Sequence, residues 1–105
     1  MIQIPLQKLP YQELSIVLDG QNCVIAVRQM GPFLYLTLTA DEEKICDSHV
    51  CQTGEPIPVW NTPRFSGRLF WQDANGTFQP PQYDELGERF TLYYATADEW
   101  QALTA

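Results

Sequence analysis

Three successive segments between residues 14 and 39 carry their apolar side chains with a period of two, and this period limits the fold more than any other feature of the chain. Leu14, Ile16 and Leu18 alternate with Ser15, Val17 and Asp19. Cys23, Ile25 and Val27 lie opposite Val24, Ala26 and Arg28, and Leu34, Leu36 and Leu38 lie opposite Phe33, Tyr35, Thr37 and Thr39. A strand sends alternate side chains to opposite faces, whereas a helix would scatter these residues around its axis. Asp19-Gly20-Gln21-Asn22 and Gly31-Pro32 punctuate the pattern with residues that reverse a chain cheaply, so an antiparallel meander is expected. Asp41-Glu42-Glu43-Lys44 is the next polar turn, and residues 45–51 form a short fourth strand weakened by Asp47, Ser48 and His49.

The flanks obey different rules. Ile2-Gln3-Ile4 alternates but is followed by Pro5 and Pro10, which cannot donate to a ladder, so residues 1–12 are expected to be an extended arm or edge strand. Pro56, Pro58 and Pro63 make Ile57, Val59 and Trp60 part of an extended crossing segment and not a ladder. Residues 67–94 hold the richest turn chemistry. Leu69-Phe70-Trp71 and Phe90-Thr91-Leu92-Tyr93-Tyr94 are aromatic-rich strands, Asp73-Ala74-Asn75-Gly76 turns the chain, and Tyr83-Asp84-Glu85-Leu86 makes one helical turn closed by Gly87. Thr96 caps a short helix in a 96–105 tail, with Trp100 and Leu103 on one face. The fold expected is all-β, a small antiparallel barrel or sandwich with a helical tail, in a single domain over residues 1–105. Its core is Leu14, Ile16, Leu18, Ile25, Val27, Leu34, Leu36, Leu38, Leu69, Phe90 and Leu92.

Charge and cysteine usage exclude several function classes. Six basic against thirteen acidic residues give a formal charge of −7, which repels nucleic acid before contact. Arg64 and Arg68 are close in sequence, but two arginines read as a solvated or ion-paired edge. No apolar run has the length of a membrane span, and the N-terminus has no basic region leading into an apolar core, so neither membrane insertion nor secretion is expected. Cys23, Cys46 and Cys51 are an odd number and argue against a disulfide framework. Cys46, His49 and Cys51 place three soft ligands close together, yet structural zinc takes a second separated pair that this chain lacks, so no metal and no cofactor are expected. The single His49 has no sequence partner for a triad, and Ser15, Ser48 and Ser66 lie in no nucleophile-elbow context. Asp84, Glu85 and Glu88 read as a solvated face, and the Asp/Asn/Gly turns lack calcium-loop spacing. Catalytic residues: none. The aromatic load instead suggests contact with partners, with interface candidates Phe33, Tyr35, Trp60, Tyr93 and Trp100 on outward faces and Ile2, Ile4 and Leu103 on the terminal segments.

Ile4-Pro5-Leu6, Pro10-Tyr11-Gln12, Leu18-Asp19-Gly20-Gln21, Gly67-Arg68-Leu69-Phe70 and Tyr83-Asp84-Glu85-Leu86-Gly87-Glu88-Arg89 together resemble the baseplate plug family of contractile-tailed phages, over roughly residues 1–94. The resemblance implies a non-enzymatic virion protein with a small β-barrel-like fold, made in the host cytoplasm and placed where the tail tube meets hub and spike. Its implied partners are those baseplate proteins and copies of itself. It also implies that Asp19, Gly20, Gly67, Tyr83, Asp84, Leu86, Gly87 and Arg89 are turn and fold determinants. Two rival readings stand beside it. One is a carbohydrate-binding module stacking sugars on Trp60, Trp71 or Trp100; the other is an acid-base enzyme built on His49 and a nearby carboxylate.

Overall fold

The computed structural model describes residues 1–58 and 62–104. Strands β1 (Ile2–Gln3), β2 (Tyr11–Leu18), β3 (Gln21–Met30), β4 (Phe33–Ala40), β5 (Glu43–Val50), β6 (Arg68–Asp73) and β7 (Phe90–Ala95) precede one helix, α1 (Ala97–Thr104). They form two antiparallel sheets, one of four strands in the order β2-β3-β4-β5 and one of three in the order β1-β7-β6. The arrangement is sandwich-like and not a closed barrel.

The four-stranded sheet is a meander because each of its reversals takes only two residues. Leu18 pairs with Gln21 around Asp19-Gly20, Met30 with Phe33 around Gly31-Pro32, and Ala40 with Glu43 around Asp41-Glu42. Asp19 (φ 52°) and Gly20 (φ 78°) both take the left-handed backbone that a tight hairpin requires. Asp41 (φ 49°) and Glu42 (φ 69°) do the same without a glycine to mark them, so the turn is two residues and not four, and β5 begins two residues earlier than expected. Within β5, the register to β4 shifts on either side of Leu38, and Ser48 takes φ 49°, so Asp47, Ser48 and His49 are accommodated by bulging and not by ending the strand.

The core lies between the sheets. Leu18, Ile25, Val27, Leu34, Leu36, Leu38, Leu69, Phe90 and Leu92 are buried as the alternation predicts. Leu14 and Ile16 are only partly buried, because β2 is an edge strand of its sheet with a neighbour on one side alone. Ile4, Cys51, Ile57, Phe65, Trp71, Leu86 and Tyr94 join them, with the smaller Cys23, Ala40 and Ala95.

Of the proline-broken segments, the N-terminal one supplies β1, an edge strand of the three-stranded sheet, while the expectation for Ile57 changes. The N-terminal arm finds its docking surface on this same chain: Ile2 and Gln3 pair with Tyr94 and Tyr93, and the Ile4 N–H donates to the Leu92 carbonyl at 2.8 Å. Ile57 does join a ladder for one residue, exchanging two hydrogen bonds of 2.7 Å with Leu69, because the prolines flank it and leave its own N–H free to donate. Val59 and Trp60 lie outside the described residues.

Candidate interaction surface

Each sheet turns one face to the core and the other outward, and the outward faces hold most of the aromatic candidates. On the four-stranded sheet the cross-strand register aligns Tyr11, Arg28, Tyr35 and Val50 in one row, with Met30 opposite Phe33 beside it. Phe33 and Tyr35 are half-buried, whereas Tyr11 is 57% and Met30 39% exposed. Toward the other end of this face a depression of about 500 Å³ runs over Ser15, Val17, Val24 and Thr39 and ends at Asp41 and Glu42.

On the three-stranded sheet the outward Phe70 and Tyr93 rings stack at 5.7 Å, and Trp100 of α1 lies over Phe70 at 5.4 Å. The helix starts with a reciprocal cap. The Glu99 N–H donates to Thr96 Oγ1 at 3.2 Å and the Thr96 N–H to the Glu99 carboxylate at 3.0 Å, satisfying two backbone donors at once. The chain's amino group also bonds Glu99, and together with Thr96 it holds that carboxyl below its ordinary range. Tyr93 and Trp100 are therefore partly covered by this chain itself, while Leu103 stays 52% and Ile2 45% exposed. Ile4 is not an outward residue at all: at 2% exposure it is core, since it lies on the same strand face as Ile2 but inside the rim.

The turn residues converge on structural contacts. Gly67 packs so closely that a Cβ there would lie 2.5 Å from the Ala95 carbonyl oxygen. Asp19 accepts a 2.9 Å hydrogen bond from Ser66, tying the first hairpin to that close approach. Tyr83–Glu85 form a single 3-10 turn, Leu86 is buried, and Gly87 (φ 82°) donates its N–H to Phe90 at 2.8 Å. Arg89 reaches across to Asp73 with Nε at 3.0 Å from one carboxylate oxygen and a terminal nitrogen at 3.2 Å from the other. Thr77 and the Asn75 N–H also donate to Asp73, and this donor set, Arg89 foremost, holds the carboxyl far below the usual range.

Residues 1–98 of the chain match the family described as "Cyanophage baseplate Pam3 plug gp18". The chain belongs to this baseplate plug family. A comparison with curated proteins found no match. The family match takes in both sheets and ends at the second residue of α1, so most of the helix lies past the matched region.

In this plug-family sandwich the acid-base alternative gains a carboxylate beside His49 but not the depression around it. His49 Nε2 lies 2.7 Å from a Glu55 carboxylate oxygen, and the 500 Å³ depression is lined elsewhere. The Cys51 thiol is pushed up to about 12 by burial, and burial raises Cys23 and Cys46 as well, so none of the three is an activated nucleophile. Among the described residues no three His, Cys, Asp or Glu side chains are grouped to hold a metal ion, and no helix is long and apolar enough to cross a membrane. Arg64 pairs with Glu43 at 2.8 Å. The sugar-stacking alternative loses Trp71, which is 1% exposed, and Trp100 packs on Phe70; Trp60 is outside the described residues.

Sequence reasoning passed over Tyr11, Val17 (61% exposed) and Phe78 (83% exposed) as surface residues. For Tyr11 and Val17 a signal existed: both stand in the odd phase of β2, opposite to Leu14, Ile16 and Leu18. Phe78 sits in a loop without periodicity, and nothing in its neighbours marks which way it points.

Proposed function

We propose that this chain is a structural plug at the centre of a contractile phage tail's baseplate, seated where the tail tube meets the hub and spike, and that it acts by assembly and not by catalysis. The observation that carries the reading is the family match over residues 1–98. The surface supports it. Two outward faces present aromatic and apolar side chains, Tyr11, Met30, Phe33 and Tyr35 on one and Tyr93, Trp100 and Leu103 on the other, the residue types that dominate protein interfaces. The chain acts as one β-domain, is made in the host cytoplasm and ends in the virion, with Ile2 at the rim of its first strand as a further contact.

The test removes residues 97–105. The truncated chain keeps every strand pairing and should fold, but loses Trp100 and Leu103, and its incorporation into baseplates reconstituted from their components should fall. Phe33→Ala with Tyr35→Ala tests the other face in the same assay. If both variants assemble as well as the parent chain, and particles lacking the protein still build complete baseplates, the structural reading fails.

A further inference from the structure

The four-stranded sheet has two edges, and they are built differently. The β5 edge is blunted by two register irregularities, a left-handed Ser48 and the charged Lys44 and Asp47. The β2 edge has no register irregularity and no left-handed residue, and its single charge is Glu13. It runs eight residues, Tyr11–Leu18, without a proline, a lysine or a bulge, and its ladder to β3 is unbroken from Tyr11↔Arg28 to Leu18↔Gln21.

The direction of its free backbone groups follows from that register. Pro10, opposite Gln29, accepts a 2.7 Å bond from the Gln29 N–H, so the even-numbered residues of β2 point their backbone groups at β3. Tyr11, Glu13, Ser15 and Val17 therefore turn theirs outward, and among the described residues no strand pairing or backbone hydrogen bond takes them up. Apolar side-chain surface remains open along the same edge: Tyr11 is 57% and Val17 61% exposed on the outer face, and Leu14 and Ile16 are only half-buried on the inner one.

We infer that this edge pairs with the β2 edge of a second copy of the chain, antiparallel about a two-fold axis at Leu14, joining two four-stranded sheets into one. The strand complements itself in that register alone. Leu14 meets Leu14 of the copy, Gln12 meets Ile16, Tyr11 meets Val17, and Glu13, the only charge on the strand, meets Ser15. All outward backbone groups of Tyr11, Glu13, Ser15 and Val17 are then used, with Leu14 in the closely spaced, non-hydrogen-bonded position on the axis. An axis at Glu13 would set two carboxylates against each other. An axis at Ser15 would put Glu13 against Val17 and Tyr11 against Asp19. This goes beyond the baseplate reading and is tested on the purified chain, so its failure leaves that reading standing.

The experiment combines sedimentation of the full chain with cysteine cross-linking and amide exchange. Facing residues in a non-hydrogen-bonded pair have Cα atoms about 4.5 Å apart, within the roughly 4.4 to 6.8 Å that a disulfide spans. Leu14→Cys should cross-link two copies under mild oxidant, above the background of the unsubstituted chain, while Ser15→Cys should not. The parent chain should sediment as a dimer with slow exchange at the Glu13 and Ser15 amides. Tyr11→Lys with Val17→Lys should return it to a folded monomer with the parent's far-UV circular dichroism and a denaturation midpoint that no longer depends on protein concentration. The inference is overturned by a parent chain that stays monomeric with freely exchanging Glu13 and Ser15 amides, by cross-linking through Ser15→Cys alone, or by a dimer that survives the double lysine variant. Were Leu14→Cys to misfold, exchange and the lysine variant decide.

Discussion

Replacing Gly67 by alanine tests how closely the chain entering β6 packs on the end of β7, because two opposing effects predict opposite signs. The backbone of Gly67 is not left-handed, so alanine would fit its conformation, and the loss of unfolded-state freedom alone would stabilise the fold by about 0.4 to 1 kcal/mol. Against that stands the geometry. The new Cβ would lie 2.4 Å from the Tyr94 hydroxyl, 2.5 Å from Tyr94 Cε1 and 2.5 Å from the Ala95 carbonyl oxygen. Neither neighbour can give way easily. Tyr94 is buried against Phe65 at 5.6 Å between ring centres, and Ala95 is held in register with Arg68 on the adjoining strand. Overpacking of this kind costs about 1 to 3 kcal/mol or more, which exceeds the entropic gain. Urea unfolding reads it directly. With an m-value of about 1 to 3 kcal/mol/M for a small domain, the midpoint should fall by roughly 0.5 to 1 M. Tyr94→Phe in the same background should recover only part of the loss, since it removes the hydroxyl but neither Cε1 nor the Ala95 carbonyl. A Gly67→Ala chain with a raised midpoint would refute the reasoning and show that β6 and β7 can part without cost.

Leu36→Ala removes a fully buried side chain from the middle of β4 and should cost roughly 2 to 5 kcal/mol; an unchanged denaturation midpoint would take Leu36 out of the core. Asp73 has its carboxyl pKa depressed in the folded state, chiefly by Arg89, so its contribution to stability is present above the ordinary carboxylate range of about 4 and is lost as pH falls toward the depressed value. Asp73→Asn should accordingly lower the denaturation midpoint at neutral pH and flatten its decline in acid, and a decline as steep as the parent's would count against this pair. Burial raises all three thiols, so alkylation of the folded chain at neutral pH should be slow at Cys23 and Cys51 and become rapid at every cysteine in urea, as mass spectrometry of timed samples would show. Chelator should leave the thermal midpoint unchanged, because Cys46, His49 and Cys51 do not come together as a ligand set; stoichiometric zinc that survives dialysis would contradict this.

The sequence by itself determined the parts of this protein that depend on neighbours in the chain. The meander β2-β3-β4 follows from side-chain alternation and two-residue turns, and the capped helix from Thr96 and Glu99, because strand phase, turn backbone and helix caps are set within a few residues. The family, too, was legible in short turn motifs such as those around Gly20, Gly67 and Gly87, since such motifs keep their wording wherever the backbone demands it. Only the tertiary structure decided what the distant segments do. β1 pairs with β7 across most of the chain, Asp73 meets Arg89, and Ile57 meets Leu69, none of which any local period encodes. The same holds for exposure. Trp71 and Tyr94 enter the core while their aromatic neighbours Phe70 and Tyr93 face outward, Phe70 against Trp100 of α1, and Leu14 and Ile16 keep the right phase yet stay half-exposed. Alternation tells which side chains share a face, but whether a second layer covers that face, and how far toward the edge it reaches, is set by the packing of one sheet on the other.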